Sequence, residues 1–461
     1  MSAEALRAAE EKMRADGQDP EAVRAFANAY ERLESGEAAV IPSDSLEPAS
    51  DVPSLDELPS DAVDVDALGR VAVIKLNGGL ATTMGLRGPK SLMEARDGLS
   101  FLDVIVGQTV ALRERYGIQL PLLLMDSEAT QRESLAALAA HPELGDDGGL
   151  RPDFLQSMIP KLDAATLAPV EWPREPSLEW CPPGHGDVYG ALRRSGTLHA
   201  LLERGIEYAM ISNADNLGST LDPRIAAHVV SSEVPFLMEV VQGTEADRKG
   251  GHVARRRSDG HLVLRESAQT PDEDAESFRD FRRWRYYNTN SLWVSLRALE
   301  ERLEASAGVL ELPLIINRKP VDPRDSSSTP VLQLESAMGA AIGLFDGAAL
   351  LRVPRTRFAP VKTTDDLLVL RSDVYRMGGG MAVEPVREQM PYVELDSRYY
   401  KLMDDFEQRF PDGPPSLVAA SRFVVRGDVT FGAGVVVRGA VTVTADAQPV
   451  AIEPGAVLDG E

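Results

Sequence analysis

One cysteine stands in 461 residues, Cys181, which excludes an internal disulfide and a zinc site built from cysteines alone. No apolar run approaches the length of a membrane span. Met1 to Glu11 carries charges of both signs and lacks the apolar core of a secretory signal. Positive charge is scarce: 48 Lys and Arg against 72 Asp and Glu leave a net charge of −24. Such a surface repels DNA, RNA and anionic lipid, so broad binding to nucleic acid or membrane is not expected. A site for a polyanionic small molecule must therefore gather its own cations. A cytoplasmic protein is expected. Hydrophobic residues, by contrast, make up 43% of the chain, enough for the cores of two to four domains at roughly 100–200 residues each.

Residues 3–34 read as one or two polar helices, interrupted near Gly17 to Pro20. Residues 41–66, rich in Pro, Ser, Asp and Ala, read as an acidic linker, and 1–66 together as a solvated appendage. From Arg70 the pattern turns α/β. Val71 to Ile74 reads as a buried strand. Ser100 with Asp103 reads as a capping-box helix start. Leu102, Ile105, Val106, Thr109 and Val110 then follow helical spacing to a stop at Gly117, and Leu120 to Met125 is a second strand. Strand, helix and strand in that order predict a parallel sheet, with further strands at Tyr208 to Ile211 and Phe236 to Val241. Ligands of such sheets bind beyond the carboxyl ends of the strands.

This α/β unit is expected over 67–375. In the remainder, 376–461, Val425, Phe431, Val437 and Val443 recur every six residues, the spacing slips, and Ile452 and Leu458 resume it. Six-residue periodicity with glycines predicts a short left-handed parallel β-helix of about two coils. So small a stack should lean on the larger unit or pair with a second copy through its open edge, giving a possible homo-oligomer.

After the first strand comes Leu76-Asn77-Gly78-Gly79-Leu80-Ala81-Thr82-Thr83-Met84-Gly85-Leu86-Arg87-Gly88-Pro89-Lys90-Ser91. A strand opening into a Gly-rich loop with a lysine beyond it is a phosphate-binding arrangement: glycines let backbone N–H groups approach oxygens, and the lysine adds a point charge. Pro89 between Gly88 and Lys90 excludes a Walker A loop. Gly78-Gly79 lacks the spacing of a dinucleotide fingerprint, which excludes a nicotinamide-dependent oxidoreductase.

Five later blocks carry polar chemistry. Gln156, in Phe154-Leu155-Gln156-Ser157, offers a donor and an acceptor suited to the edge of a uracil. Pro182-Pro183-Gly184-His185-Gly186-Asp187 lets backbone meet a flat base and aims a polar ring. Asn213-Ala214-Asp215-Asn216 follows a buried strand, and a carboxylate there suits Mg²⁺ on phosphate oxygens. Lys249-Gly250-Gly251 and Asn288-Thr289-Asn290 suit sugar hydroxyls. Phe358 to Leu367 brings a second lysine, Lys362. Arg255-Arg256-Arg257 and Arg282 to Tyr287 mix cations with aromatics as RNA binders do, but nearby Asp272, Glu273, Asp274, Glu276 and Asp280 offset that charge.

From the opening loop through these blocks in order, the chain resembles the eukaryotic-type UTP–glucose-1-phosphate uridylyltransferases (UDP-glucose pyrophosphorylases). Ala81 stands where that family has glycine, and Ile159 where it often has an aromatic. The resemblance implies a Rossmann-like, GT-A-like nucleotidyltransferase fold: a mixed central sheet with helices on both faces. It also implies UTP and glucose 1-phosphate as substrates and Mg²⁺ as cofactor. By the same resemblance, Leu76, Asn77, Gly78, Gly79, Lys90, Gln156, Gly184, Asp215 and Lys362 would bind UTP. Gly78, Gly79, His185, Asn213, Ala214, Asp215, Gly250, Asn288 and Asn290 would bind the sugar phosphate. Lys90, Lys362 and Asp215 would be catalytic, with Asp215 on the metal. Alternatives are a pyrophosphorylase for another UDP-sugar or UDP-N-acetylhexosamine, and a non-catalytic nucleotide-sugar sensor.

Overall fold

A computed structural model describes residues 2–36, 40–59, 63–86, 88–145 and 147–460. Arg87 of the Gly-rich loop lies outside them. The centre is a ten-stranded mixed sheet. Its parallel part runs, side by side, Tyr208–Asn213, Val71–Leu76, Leu122–Asp126 and Asp153–Leu155. Tyr286–Ser295 joins it antiparallel on one side and carries Phe236–Gln242 and His252–Arg256. Val71–Leu76 is buried along almost its whole length, as a strand covered on both faces must be. Two large apolar clusters occupy the two faces, one with Val73, Leu124, Met210 and Trp293, the other with Ile74, Leu123, Ile211 and Val294. The alternation along each strand divides the clusters.

The expected helix forms over Phe101–Tyr116. The Ser100 hydroxyl accepts from the Asp103 N–H at 3.1 Å, the Asp103 carboxylate accepts from the Ser100 N–H at 2.7 Å, and Gly117 closes the helix at φ 65°. The predicted strands form with one or two residues added or removed at their ends.

The N-terminal part differs from the expectation of a solvated appendage. Helices α1 (Ser2–Ala15) and α2 (Pro20–Glu34) bury Ala9, Met13, Phe26 and Tyr30 against Ile159, Leu162, Leu314 and Leu334. Their apolar stripes are narrow, so composition alone reads as polar. The stretch expected as an acidic linker supplies an edge strand, Leu46–Pro48, antiparallel to His252–Arg256. Leu46 is fully buried against Ala254 and Trp284. The basic-aromatic stretch is likewise structural. Trp284 is buried and stacked on His252 at 4.7 Å, and the Arg283 guanidinium lies over the Trp284 ring at 4.5 Å from its centroid, which leaves no face for a base.

The C-terminal sheet is parallel: Tyr392–Leu395, Ser416–Arg426, Val436–Thr444 and Val457–Asp459, with Val429–Phe431 and Val450–Ile452 paired beside it. Val425 faces Val443, Phe431 faces Ile452 and Val437 faces Leu458. The expected leaning on the larger unit is present. Phe406, Phe410, Phe423 and Phe431 belong to the same apolar cluster as the central sheet. The Asp373 carboxylate accepts from the N–H groups of Leu417 and Val418 at 2.8 and 3.0 Å.

Candidate active site

The four parallel strands end at Asn213, Leu76, Asp126 and Leu155, and the loops that leave them meet in one cavity of about 260 Å³. Its lining includes Leu76, Asn77, Gly78, Gly79, Lys90, Gln156, Gly184, His185, Asn213, Ala214 and Asp215. Eleven residues proposed from widely separated blocks thus share one space: nine come from parallel strands and their following loops, delivered to the same edge, and Gly184 and His185 come from the segment after Trp180–Cys181.

The Gly-rich loop is a narrow flap. Leu80 pairs with Pro89, and the Lys90 N–H donates to the Gly79 carbonyl at 3.1 Å. Proline ahead of Lys90 fixes the return of the flap and aims the lysine inward. Asn77 anchors its base: the side-chain N–H₂ donates to Asp126 at 2.7 Å and to Ser134 at 2.8 Å. The Asn77 amide nitrogen is thereby committed to Asp126 and Ser134, although the residue lines the cavity. Ala81 sits at φ −80°, ψ 32° and is buried, so this position requires no glycine. Gly78 is needed for another reason, since a Cβ there would stand 2.5 Å from the Gln156 amide nitrogen. Gly184 holds φ 81° with the Ser336 backbone where a Cβ would go.

Lys90 Nζ lies 2.7 Å from Asp215 Oδ2, both side chains about one-fifth exposed, at 20% and 17%. The other oxygen, Asp215 Oδ1, is buried and has no partner. His185 accepts the Met338 N–H at its Nδ1, at 3.0 Å. Burial, aided by the charge of Lys362, lowers its pKa to about 4. The ring is therefore neutral near pH 7 and carries its proton on Nε2, a donor toward an anion.

Beneath the loop 213–218 lies a buried polar layer. Lys75 Nζ donates to the Ser212 hydroxyl at 2.8 Å and the Ser219 carbonyl at 2.7 Å, bracketing the loop that carries Asp215. Burial and then the neighbouring Arg357 lower its pKa to about 7. Arg357 pairs with Glu239 at 2.6 and 2.7 Å, and Trp293 donates to the same carboxylate at 2.9 Å. Asn216 ties the Asp215 loop to the next segment: its amide donates to the Arg357 carbonyl and accepts from the Ala359 N–H, each at 3.1 Å. The Asp215 carbonyl accepts from the Val361 N–H at 3.1 Å. Lys362, the next residue, is exposed, and its charge acts on both His185 and Glu266.

Gly250, Asn288 and Asn290 lie outside the cavity lining, in a neighbouring group. The Asn288 N–H donates to the Gly251 carbonyl at 3.0 Å, and its side chain donates to Asn290 at 2.8 Å. Asn290 adopts φ 55°. Glu266 joins this group, its half-buried carboxylate against the open face of Gly251 and its pKa raised by desolvation. Sequence reasoning missed Glu266 and Lys75, and named Asn216 in its block without giving it a role. A lone carboxylate at a strand end and a lysine inside a strand carry no signal of their own. Among the described residues no three His, Cys, Asp or Glu side chains converge as a metal cluster.

A protein-family model described as UTP--glucose-1-phosphate uridylyltransferase matches residues 23–438. The UTP--glucose-1-phosphate uridylyltransferase of Hordeum vulgare is 38% identical over 447 residues, covering 95% of this chain and 92% of the relative. That of Solanum tuberosum is 41% identical over 411 residues, covering 88% and 82%. Among solved structures, a UDP-glucose phosphorylase from Trypanosoma brucei matches with a TM-score of 0.93 at 41% identity, covering 99% of this chain and 98% of that one. A variant UDP-glucose pyrophosphorylase from Leishmania major, solved in complex with UDP-glucose, matches at 0.92 with 41% identity and the same coverage.

Proposed function

The chain belongs to the UTP--glucose-1-phosphate uridylyltransferase family, and from that membership and the cavity's geometry we propose that it makes UDP-glucose and pyrophosphate from UTP and glucose 1-phosphate. The observation that carries the reading is the convergence of Lys90, Asp215 and Gln156, from loops after three parallel strands, with His185 from a separate segment, in one cavity. An amide for a uracil edge, a cation and a neutral imidazole donor for phosphates, and a carboxylate with a free buried oxygen are what this transfer requires.

The attacking sugar phosphate is already an anion, so no strong general base is needed. The barrier lies in bringing two polyanions together in line, and positioning with charge neutralisation lowers it. Gln156 reads the base beside Gly184, with Gly78 and Gly79 presenting backbone. Lys90 from the flap and Lys362 from the facing segment offset the phosphate charge. His185 Nε2 donates to the sugar phosphate, and Asn213 and Ala214 face it across the cavity. Gly250, Asn288, Asn290 and Glu266 receive the hexose. A lysine about 4 Å from a phosphate charge contributes about 4 kcal/mol at an effective dielectric near 20. If half of that appears only in the transition state, the gain is roughly thirtyfold per lysine.

Asp215 fits a magnesium ion. One of its oxygens is buried without a partner, and this cation takes one or two protein carboxylates and completes its shell with phosphate and water. When bound, the ion supplies positive charge on the triphosphate oxygens. The parallel pairing of the C-terminal strands and its hexad of apolar residues support a short left-handed β-helix, with self-association through its open edge. The division at 67–375 and 376–461 stands in this reading, with 1–66 wrapped on the first unit.

The test is substrate-dependent pyrophosphate release. UTP with glucose 1-phosphate should react, ahead of CTP and ahead of N-acetylglucosamine 1-phosphate. Lys90→Ala and Lys362→Ala should each lower turnover at least roughly thirtyfold in folded protein. Asp215→Ala should weaken the magnesium dependence. Near-normal turnover in the lysine variants would overturn their assignment.

A further inference from the structure

Gln156 and His185 come from different parts of the chain and face different ends of the nucleotide in the reading above, on which this inference rests. A buried ion pair joins them. Gln156 is 8% exposed, and its N–H donates to the Asp126 carbonyl at 2.9 Å, which fixes the backbone at the base end. The next residue, Ser157, donates its N–H to Asp187 Oδ2 at 2.6 Å. Asp187 stands two residues after His185, in the same turn, His185–Asp187. Its other oxygen accepts from Arg194 Nη2 at 2.6 Å, and the same nitrogen donates to the Ser157 hydroxyl at 2.6 Å. Both side chains of the pair are 9% exposed.

Arg194 ends the helix Val188–Arg194 that leaves this turn. Its guanidinium folds back over Gly190, in the space a Cβ there would take. The N-terminal hairpin supplies a third tie: the Met158 N–H donates to Gln18 Oε1 at 3.1 Å, from the turn between α1 and α2.

We propose that Asp187 and Arg194 are positioning residues that hold the base-reading Gln156 at a fixed distance from the phosphate-facing His185, so that only a correctly seated uracil places the phosphates for reaction. The argument is geometric. One carboxylate receives the backbone of the base-end strand and the guanidinium from the phosphate-end helix, and that guanidinium reaches back to the base-end side chain. Neither side chain lines the nucleotide cavity, so neither is a catalytic residue. Base selectivity should then appear in kcat as well as in KM, because a mis-seated base shifts the phosphates rather than only weakening contact. A misplacement of about 1 Å costs up to a hundredfold in rate.

The experiment measures kcat and KM for UTP and for CTP, with glucose 1-phosphate, in the full chain and in four variants. Arg194→Ala and Gly190→Ala should each lower kcat for UTP about tenfold or more and reduce the UTP-over-CTP ratio of kcat/KM by a similar factor. The first removes the guanidinium and the second displaces it with its charge intact. Arg194→Lys, which keeps charge without the planar fork, should recover part of the ratio. Gln18→Ala removes one tie from a surface turn and should fold; a two- to threefold drop in the ratio is expected, on the order of one lost hydrogen bond. If Gln18→Ala and any folded pair variant keep the parent's ratio, the proposal is overturned, whatever their melting temperatures. If the unaltered chain releases no pyrophosphate from UTP and glucose 1-phosphate, the proposed function fails instead.

Discussion

His185 shows how one hydrogen bond chooses a chemical role. With Nδ1 occupied by the Met338 N–H, the proton must sit on Nε2. Burial and Lys362 hold the folded pKa near 4, against an unfolded value near 6.5. The group's contribution to stability is therefore fully present above pH 6.5 and is lost progressively as pH falls toward 4. Nitrogen NMR of the ring at pH 6 should show a neutral imidazole protonated at Nε2. A charged ring at that pH would overturn the assignment. Ala81 makes the opposite point about family patterns. Its φ is negative and its methyl is buried, so Ala81→Gly should cost about 1 kcal/mol of stability and leave turnover unchanged, as denaturant melts and steady-state rates would show. Sequence marked Ala81 as a departure; only the backbone angle shows that glycine has no task there.

At the scale of elements, the loop after Tyr208–Asn213 and the segment leading to Lys362 behave as one piece. Asn216, buried between them, satisfies the Arg357 carbonyl and the Ala359 N–H together. Asn216→Ala leaves both unpaired, at about 1–3 kcal/mol for each buried group. It should lower turnover about tenfold, and Lys362→Ala added to it should cost much less than Lys362→Ala alone, because both changes act on the same lysine. A double-mutant cycle of turnover measures this, and simple additivity would count against the coupling. The strands themselves were legible, since buried parallel strands read as unbroken apolar runs and their polar loops follow at once. The ties beneath the loops were not. Lys75 interrupts such a run, and Asn216 and Glu239 are polar residues whose partners lie far away in the chain.

Across the whole molecule, the site was more legible than its supports. Motifs placed most of the cavity lining on one edge, because loop residues facing a ligand carry distinctive chemistry. The docking of α1 and α2 and the edge strand Leu46–Pro48 were hidden, because short apolar stripes amid Asp, Ser and Pro resemble linker composition. The tail was half-visible: its six-residue period gave the repeat, while its attachment came from Phe406 and Phe410, outside the period, packing with Phe431 inside it. Phe410 stacks on Phe431 at 5.1 Å, and Phe423 meets Phe431 edge-on at 5.5 Å. Phe431→Ala should cost about 3–5 kcal/mol. Because these rings share a core with the central sheet, the loss should appear as a shift of one unfolding transition in calorimetry rather than as a separate early melt of the tail.

The contact between Lys90 and Asp215 has a thermodynamic consequence for the resting protein. Lys90 meets one oxygen of Asp215, while the other oxygen has no partner, so in the proposed reading a phosphate that draws Lys90 toward itself frees the second oxygen of the same carboxylate. If magnesium binds Asp215 and triphosphate binds Lys90, as proposed, linkage requires that each strengthen the other's binding by the same factor. Calorimetric titration with UTP in the presence and absence of Mg²⁺ should therefore show affinities that diverge in the unaltered chain and converge once the Asp215 carboxylate is removed. In the proposed reading, one contact between two side chains thus ties the affinities of the two ligands together.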